Sequence, residues 1–84
     1  MSYKVHTSRA VEKQLLSFPD DVIMRLLERI ETLSQTPRPH GAKKLSDRES
    51  YRVRVDDYRI IYNIDDDAKL VTLRDISHRK DAYR

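Results

Sequence analysis

Hydrophobic and polar positions alternate most regularly in residues 51–62, Tyr-Arg-Val-Arg-Val-Asp-Asp-Tyr-Arg-Ile-Ile-Tyr. A period of two marks a strand with one buried face, so this segment reads as two strands joined at Asp56-Asp57. With a two-residue turn, Val55 faces Tyr58, Arg54 faces Arg59, Val53 faces Ile60 and Tyr51 faces Tyr62. Tyr51, Val53, Val55, Tyr58, Ile60 and Tyr62 then share an apolar face, and Arg52, Arg54 and Arg59 share the other. Arg54 and Arg59 become cross-strand neighbours with Cβ atoms about 5 Å apart, a like-charge pairing that destabilises a sheet. Guanidinium groups clustered on a rigid hairpin point to an anionic ligand.

The first half of the chain follows a different period. Ser2–His6 reads as a short strand with Tyr3 and Val5 on one face. A helix is expected from about Ser8 to Ser17, with Thr7 or Ser8 as N-cap and Val11 and Leu15 on its buried stripe. After Pro19, Asp20 and Asp21 open a second helix at the end where carboxylates are favoured by the dipole. Ile23, Leu26, Leu27, Ile30 and Leu33 recur at helical spacing and predict its core face, and the helix stops near Gln35, before Pro37. Residues 36–50 hold the only Gly and two of the three Pro. They are expected to form a long polar loop pinned by Leu45, and such loops in small domains are often functional.

A turn at Asp65–Ala68 leads to a last strand, Leu70–Ser77. Continuing the parity of the hairpin puts Val71 beside Tyr62 and Leu73 beside Ile60 on the apolar face. It puts Thr72 beside Ile61 and Arg74 beside Arg59 on the open face, with Ile76 and His78 further along it. The order is β-α-α-β-β-β. The fold class is α+β, with two N-terminal helices packed on one face of a small antiparallel sheet. The open face is then a basic surface carrying Arg52, Arg54, Arg59, Arg74 and His78, an assignment that a one-residue slip would overturn.

Composition narrows the reading. The 84 residues suffice for one domain, residues 1–84, with a modest core. Cysteine is absent, which removes disulfides and thiolate metal sites. The longest apolar runs are two or three residues, too short for a membrane span or a signal-peptide core, so a cytoplasmic location is expected. The net charge is +3, and its excess lies in residues 38–84, where 12 Lys and Arg face 9 acids, against 5 and 5 in residues 1–37. The half that carries the strands therefore favours an acidic partner. His6, His40 and His78 lack metal-ligand spacing, and a single Gly cannot build a phosphate-binding glycine loop.

Taken together, Tyr51-Arg52-Val53-Arg54-Val55, Tyr58-Arg59-Ile60-Ile61-Tyr62, Ser77-His78-Arg79 followed by Tyr83, and the loop Pro37-Arg38-Pro39…Gly41-Ala42-Lys43-Lys44-Leu45 resemble the RelE/ParE superfamily of toxins from type II toxin–antitoxin pairs. The resemblance covers nearly the whole chain, and that family has the β-α-α-β-β-β order inferred above. RelE-like members are ribosome-dependent endoribonucleases that cleave the exposed mRNA codon in the A site without a metal or other cofactor. The resemblance implies catalytic roles for Arg52, Arg54, Arg59, Arg79 and Tyr83. Lys43, Lys44 and Arg74 are expected to bind RNA. The implied partners are a cognate antitoxin, the 70S ribosome with its mRNA, and operator DNA reached through the antitoxin, with no membrane.

The chemistry fits these residue types. Metal-free RNA cleavage uses a 2′-OH as nucleophile on its own 3′ phosphate, and preorganised guanidinium groups stabilise the added negative charge. The sequence departs from relatives that carry lysines on the first hairpin strand. Arginine does not deprotonate in a protein, so Arg52 and Arg54 cannot serve as general base. His78, whose ordinary pKa lies near neutrality, is assigned as acid or base, and Tyr83 as a group that stacks a base, orients the phosphate or donates a proton. The competing structural reading pairs the surface arginines with Asp56, Asp57 or Asp66. Two further functional readings stand beside the nuclease: a ParE-like toxin that binds DNA gyrase, and a decayed or binding-only homologue.

Overall fold

The computed structural model describes residues 2–45 and 50–82. In chain order the elements are β1 (Lys4–Thr7), α1 (Arg9–Leu16), α2 (Asp20–Gln35), β2 (Lys43–Lys44), β3 (Ser50–Val55), β4 (Tyr58–Asp65), β5 (Leu70–His78) and the short α3 (Arg79–Ala82). The five strands form one sheet in the order β1-β5-β4-β3-β2. All neighbours are antiparallel except β1 and β5, which run parallel with Val5 beside Val71. The expected order and two-layer architecture are therefore present, with one added edge strand. This strand, β2, lies within the segment expected to be loop. Only Lys43 and Lys44 pair, opposite Arg52 and Tyr51, too few residues to show a period.

Local chemistry sets each helix boundary. Ser8 caps α1, its hydroxyl accepting from the Val11 N–H at 3.3 Å. Helix α2 starts after Pro19 with Asp20 and Asp21 in its first turn. Its buried stripe is Val22, Leu26 and Leu33, with Ile23 and Ile30 packed at the margin. Leu27 was expected in that stripe and is 46% exposed. It lies one residue past Leu26, about 100° around the helix, so it points off the packed side.

Helix α1 packs on β5, while α2 lies against β1 and β3. The core between the helices and the sheet holds Val11, Leu15, Val53, Ile60, Tyr62, Ile64, Val71, Leu73 and Ile76 together with the α2 stripe. The tyrosines expected on this face are there. Tyr62 is fully buried and donates its hydroxyl to the Pro37 carbonyl at 2.8 Å. Burial pushes its phenol up to about 12. Tyr51 stacks beside Tyr62, and Tyr58 meets Phe18 edge-on.

The β3–β4 register matches expectation at every pair, including Arg54 with Arg59. Asp56 in the turn takes a left-handed φ of 55°, which Asp tolerates, and its carboxylate pairs with Arg25 of α2 at 3.0 Å. The β4–β5 register departs from expectation in two ways. The turn is longer by two residues, so Asp65 pairs with Leu70, Ile64 with Val71 and Tyr62 with Leu73. That shift of two leaves the faces unchanged. A bulge then falls opposite Ile61 and Tyr62: Tyr62 pairs with Leu73 but Ile61 pairs with Asp75, so Arg74 is the extra residue. Beyond it the faces exchange. Ile76, expected on the open face, is 1% exposed in the core opposite Ile60. His78 follows it to the helix side, opposite Tyr58, and Arg59 faces Ser77 rather than Arg74.

Candidate active site

The open face is built from the residues that alternate with the core. On β3 these are Arg52 and Arg54, and on β4 Arg59 and Ile61. Lys43 joins them because it stands directly opposite Arg52, whereas Lys44 stands opposite Tyr51 and shares the core-facing parity. Of the two lysines expected to bind RNA, the fold thus brings only Lys43 to the arginine face. Beyond the bulge, Asp75 stands beside Ile61 and Ser77 beside Arg59, the places expected for Thr72 and Arg74. Arg74 itself is exposed at the bulge.

Of the acids that were to neutralise the arginines, one lies near Arg79 and the other two are engaged elsewhere. Asp56 pairs with Arg25, Asp66 with Arg38 at 3.0 Å, and Asp57 lies 4.0 Å from Arg79. None of the ion pairs among the described residues involves Arg52, Arg54 or Arg59. Arg59 is half-buried, and its Nε has no hydrogen-bond partner among the described residues. A buried guanidinium N–H of this kind is an unused donor awaiting an acceptor.

Two open cavities flank the Arg54–Arg59 pair. Toward β5, a cavity of about 390 Å³ is lined by Gln14, Ser17, Phe18, Arg59, Asp75, Ile76 and Ser77. Toward β3, a cavity of about 380 Å³ is lined by Arg29, Gly41, Lys43, Arg52 and Arg54. Arg54 and Arg59 therefore line different cavities although their backbones are paired.

Gln14 organises the first cavity. Because β1 pairs only with Leu70–Leu73, the outer edge of β5 past the bulge has no strand beside it. The Gln14 carboxamide stands in for one: its Oε1 accepts from the Ile76 N–H at 3.1 Å and its Nε2 donates to Asp75 Oδ1 at 3.0 Å. Asp75 is thereby held beside Arg59 in the same cavity. Sequence reasoning missed Gln14, Asp75 and Arg29, because each joins the site from an element that periodicity assigns to another role.

The remaining expected residues sit at the end of the sheet. His78 meets Tyr58 edge-on with ring centroids 4.9 Å apart, and its Nδ1 accepts from the Lys80 N–H at 3.1 Å. It is not part of the arginine face. Arg79 opens α3, donates its N–H to the Asp57 carbonyl and is exposed beside the β3–β4 turn. Tyr83 lies outside the described residues.

A latch fixes the segment leading into β2. Arg38 donates through Nη1 and Nη2 to the two oxygens of Asp66, at 3.2 and 3.0 Å, and through Nε to the Tyr51 hydroxyl at 2.9 Å. Tyr3 donates to the same carboxylate at 2.7 Å. These donors hold the Asp66 carboxyl down at about 2, Arg38 contributing most. Gly41 then turns the chain with a φ of 96°, a conformation glycine adopts without strain.

Two helices on one face of a mostly antiparallel five-strand sheet constitute the RelE-like fold. A chain of the archaeal RelE–RelB complex from Pyrococcus horikoshii superposes with a TM-score of 0.85 at 30% identity, over 94% of this chain and 97% of that one. The isolated Escherichia coli RelE toxin shares the fold at a TM-score of 0.82 and 16% identity, over 92% of this chain and 84% of its own. A Methanocaldococcus jannaschii protein named as toxin RelE1 is 33% identical over 88 residues, spanning all of this chain and 98% of its own. The family model described as ParE toxin of type II toxin-antitoxin system, parDE, matches residues 5–83. The chain belongs to the RelE/ParE toxin family of type II toxin–antitoxin systems.

Proposed function

We propose that this toxin is a ribosome-dependent endoribonuclease that cleaves mRNA in the A site. The observation that supports the reading is the set of arginines, Arg52, Arg54 and Arg59, that have no ion-pair partner among the described residues and lie on the open face of the sheet. In the proposed reaction the 2′-OH forms a new bond to its neighbouring phosphorus and the bond to the 5′ oxygen breaks. Arg54 and Arg59 stabilise the charge on the phosphorane, with the long side chains swinging toward a phosphate between them. Arg52 and Arg79 extend this positive field.

The base is the point at which the fold redirects the assignment. His78 faces Tyr58, so Asp75 takes the proton from the 2′-OH in this reading. It is the carboxylate that Gln14 presents beside Arg59. Tyr83 remains the candidate for delivering a proton to the leaving 5′ oxygen. A cognate antitoxin of the RelB type, as accompanies RelE in the archaeal complex, is proposed to restrain the toxin and to carry it to operator DNA.

The test is expression of the chain alone, with mRNA 5′ ends mapped by primer extension. New ends in phase with codons, lost in Arg59→Ala, support the nuclease. Growth arrest with replication failing first and no new ends points to a gyrase target, the activity associated with ParE-like toxins. Absence of any arrest points to a binding-only homologue.

A further inference from the structure

The cavity on the β3 side has a composition that the cleavage step does not require. Arg29, Lys43, Arg52 and Arg54 line it together with Gly41, so four cations converge and no carboxylate is among the described lining residues. Arg29 comes from α2, on the helix layer, and meets the sheet residues where β3 runs beyond the two-residue β2. Its Nε is buried without a hydrogen-bond partner among the described residues, and Nη2 makes only a long contact of 3.5 Å to the His40 carbonyl. Gly41 borders the cavity, and the position of its absent Cβ would lie 3.9 Å from Arg29 Nη2. Converging cations repel one another unless an anion sits between them. A guanidinium fork with an unused N–H is suited to a phosphate oxygen.

We propose that this cavity holds a second RNA phosphate, next to the one under attack, and that Arg29 and Lys43 bind it. The inference rests on the nuclease reading and deepens it. Arg54 is shared between the two positions, so a strand seated over Arg59 continues across the sheet into the cavity. This continuity favours RNA over an acidic segment of the antitoxin, which has no reason to coincide with the Arg54–Arg59 axis.

The test uses a 2′-O-methyl RNA trinucleotide, which lacks the nucleophile and stays intact. Binding to the full-length toxin is measured as a function of salt for the wild type, Arg29→Gln, Arg29→Lys, Lys43→Gln and Arg59→Gln, with amide spectra confirming the fold. Arg29→Gln is expected to weaken binding about tenfold and to lower the slope of log K against log salt by about 0.7, the value for one phosphate contact on a single strand. Arg29→Lys restores the slope. Lys43→Gln, on an exposed edge strand, lowers the slope by the same amount and serves if Arg29→Gln does not fold.

Wild-type affinity and slope in both Arg29→Gln and Lys43→Gln, with Arg59→Gln still impaired, overturn the second phosphate site and leave the nuclease standing. Unchanged binding in all three overturns the RNA reading itself. Loss of antitoxin affinity without loss of trinucleotide affinity assigns the cavity to an acidic peptide and overturns the proposal.

Discussion

Arg54 and Arg59 stand directly opposite each other on β3 and β4, yet they line different cavities on the two sides of the pair. Like charges at this spacing destabilise a sheet unless the side chains separate or an anion lies between them. In the proposed reaction the unliganded arrangement is the separated one, and the phosphate draws the pair together.

Removing one of the two groups therefore removes charge stabilisation without touching the core. Arg59→Ala is expected to reduce cleavage on ribosomes by about 10²–10³-fold, the range for loss of one preorganised donor. Single-turnover cleavage, with an amide spectrum to confirm the fold, checks this. Cleavage within a fewfold of wild type removes Arg59 from the site.

The exchange of faces after Arg74 decides which of two candidate bases, three positions apart on β5, stands on the arginine face. Asp75→Asn is expected to cost about 10²–10⁴-fold in single-turnover cleavage. His78→Gln is expected to leave cleavage within a fewfold of wild type, because His78 packs on Tyr58. The opposite pattern reinstates His78 and displaces Asp75.

The Arg38–Asp66 latch has a defined acid dependence. The Asp66 carboxyl sits at about 2 in the fold against an ordinary 3.8, so the native state binds fewer protons than the unfolded chain between those values. Stability from this group is complete above about pH 4, declines as the pH falls through that window and is gone below about 2. Asp66→Asn is thus expected to lower the urea midpoint at neutral pH and to match wild type near pH 2. The carboxylate is exposed, so added salt narrows the difference.

Tyr62 anchors the start of the same segment from inside the core. Tyr62→Phe keeps the ring and leaves the Pro37 carbonyl without this donor, with an expected loss of about 1 kcal/mol in urea unfolding. A midpoint equal to wild type shows that the carbonyl finds another donor.

Alternation in residues 51–62 was enough to specify the β3–β4 hairpin, its register and the arginine face, because a buried face permits one parity only. The i, i+3, i+4 recurrence after Pro19 likewise specified α2, although it exchanged Val22 for Leu27 on the packed side. The family resemblance rested on the hairpin strands together with Ser77-His78-Arg79, Tyr83 and the loop from Pro37 to Leu45. Strand β2 was illegible because two lysines carry no period; it exists because the edge of β3 accepts it.

The bulge at Arg74 was illegible for a different reason. Leu73 and Ile76 both reach the core only if one residue is left out of the ladder, and that choice depends on the packing of the helices against β5, with Gln14 occupying the edge past β1. Local alternation determined which side chains the hairpin presents. Contacts between elements distant in sequence decided that Asp75 and Arg29, rather than His78 and Arg74, stand beside them, because a strand's parity survives only as long as its register is unbroken.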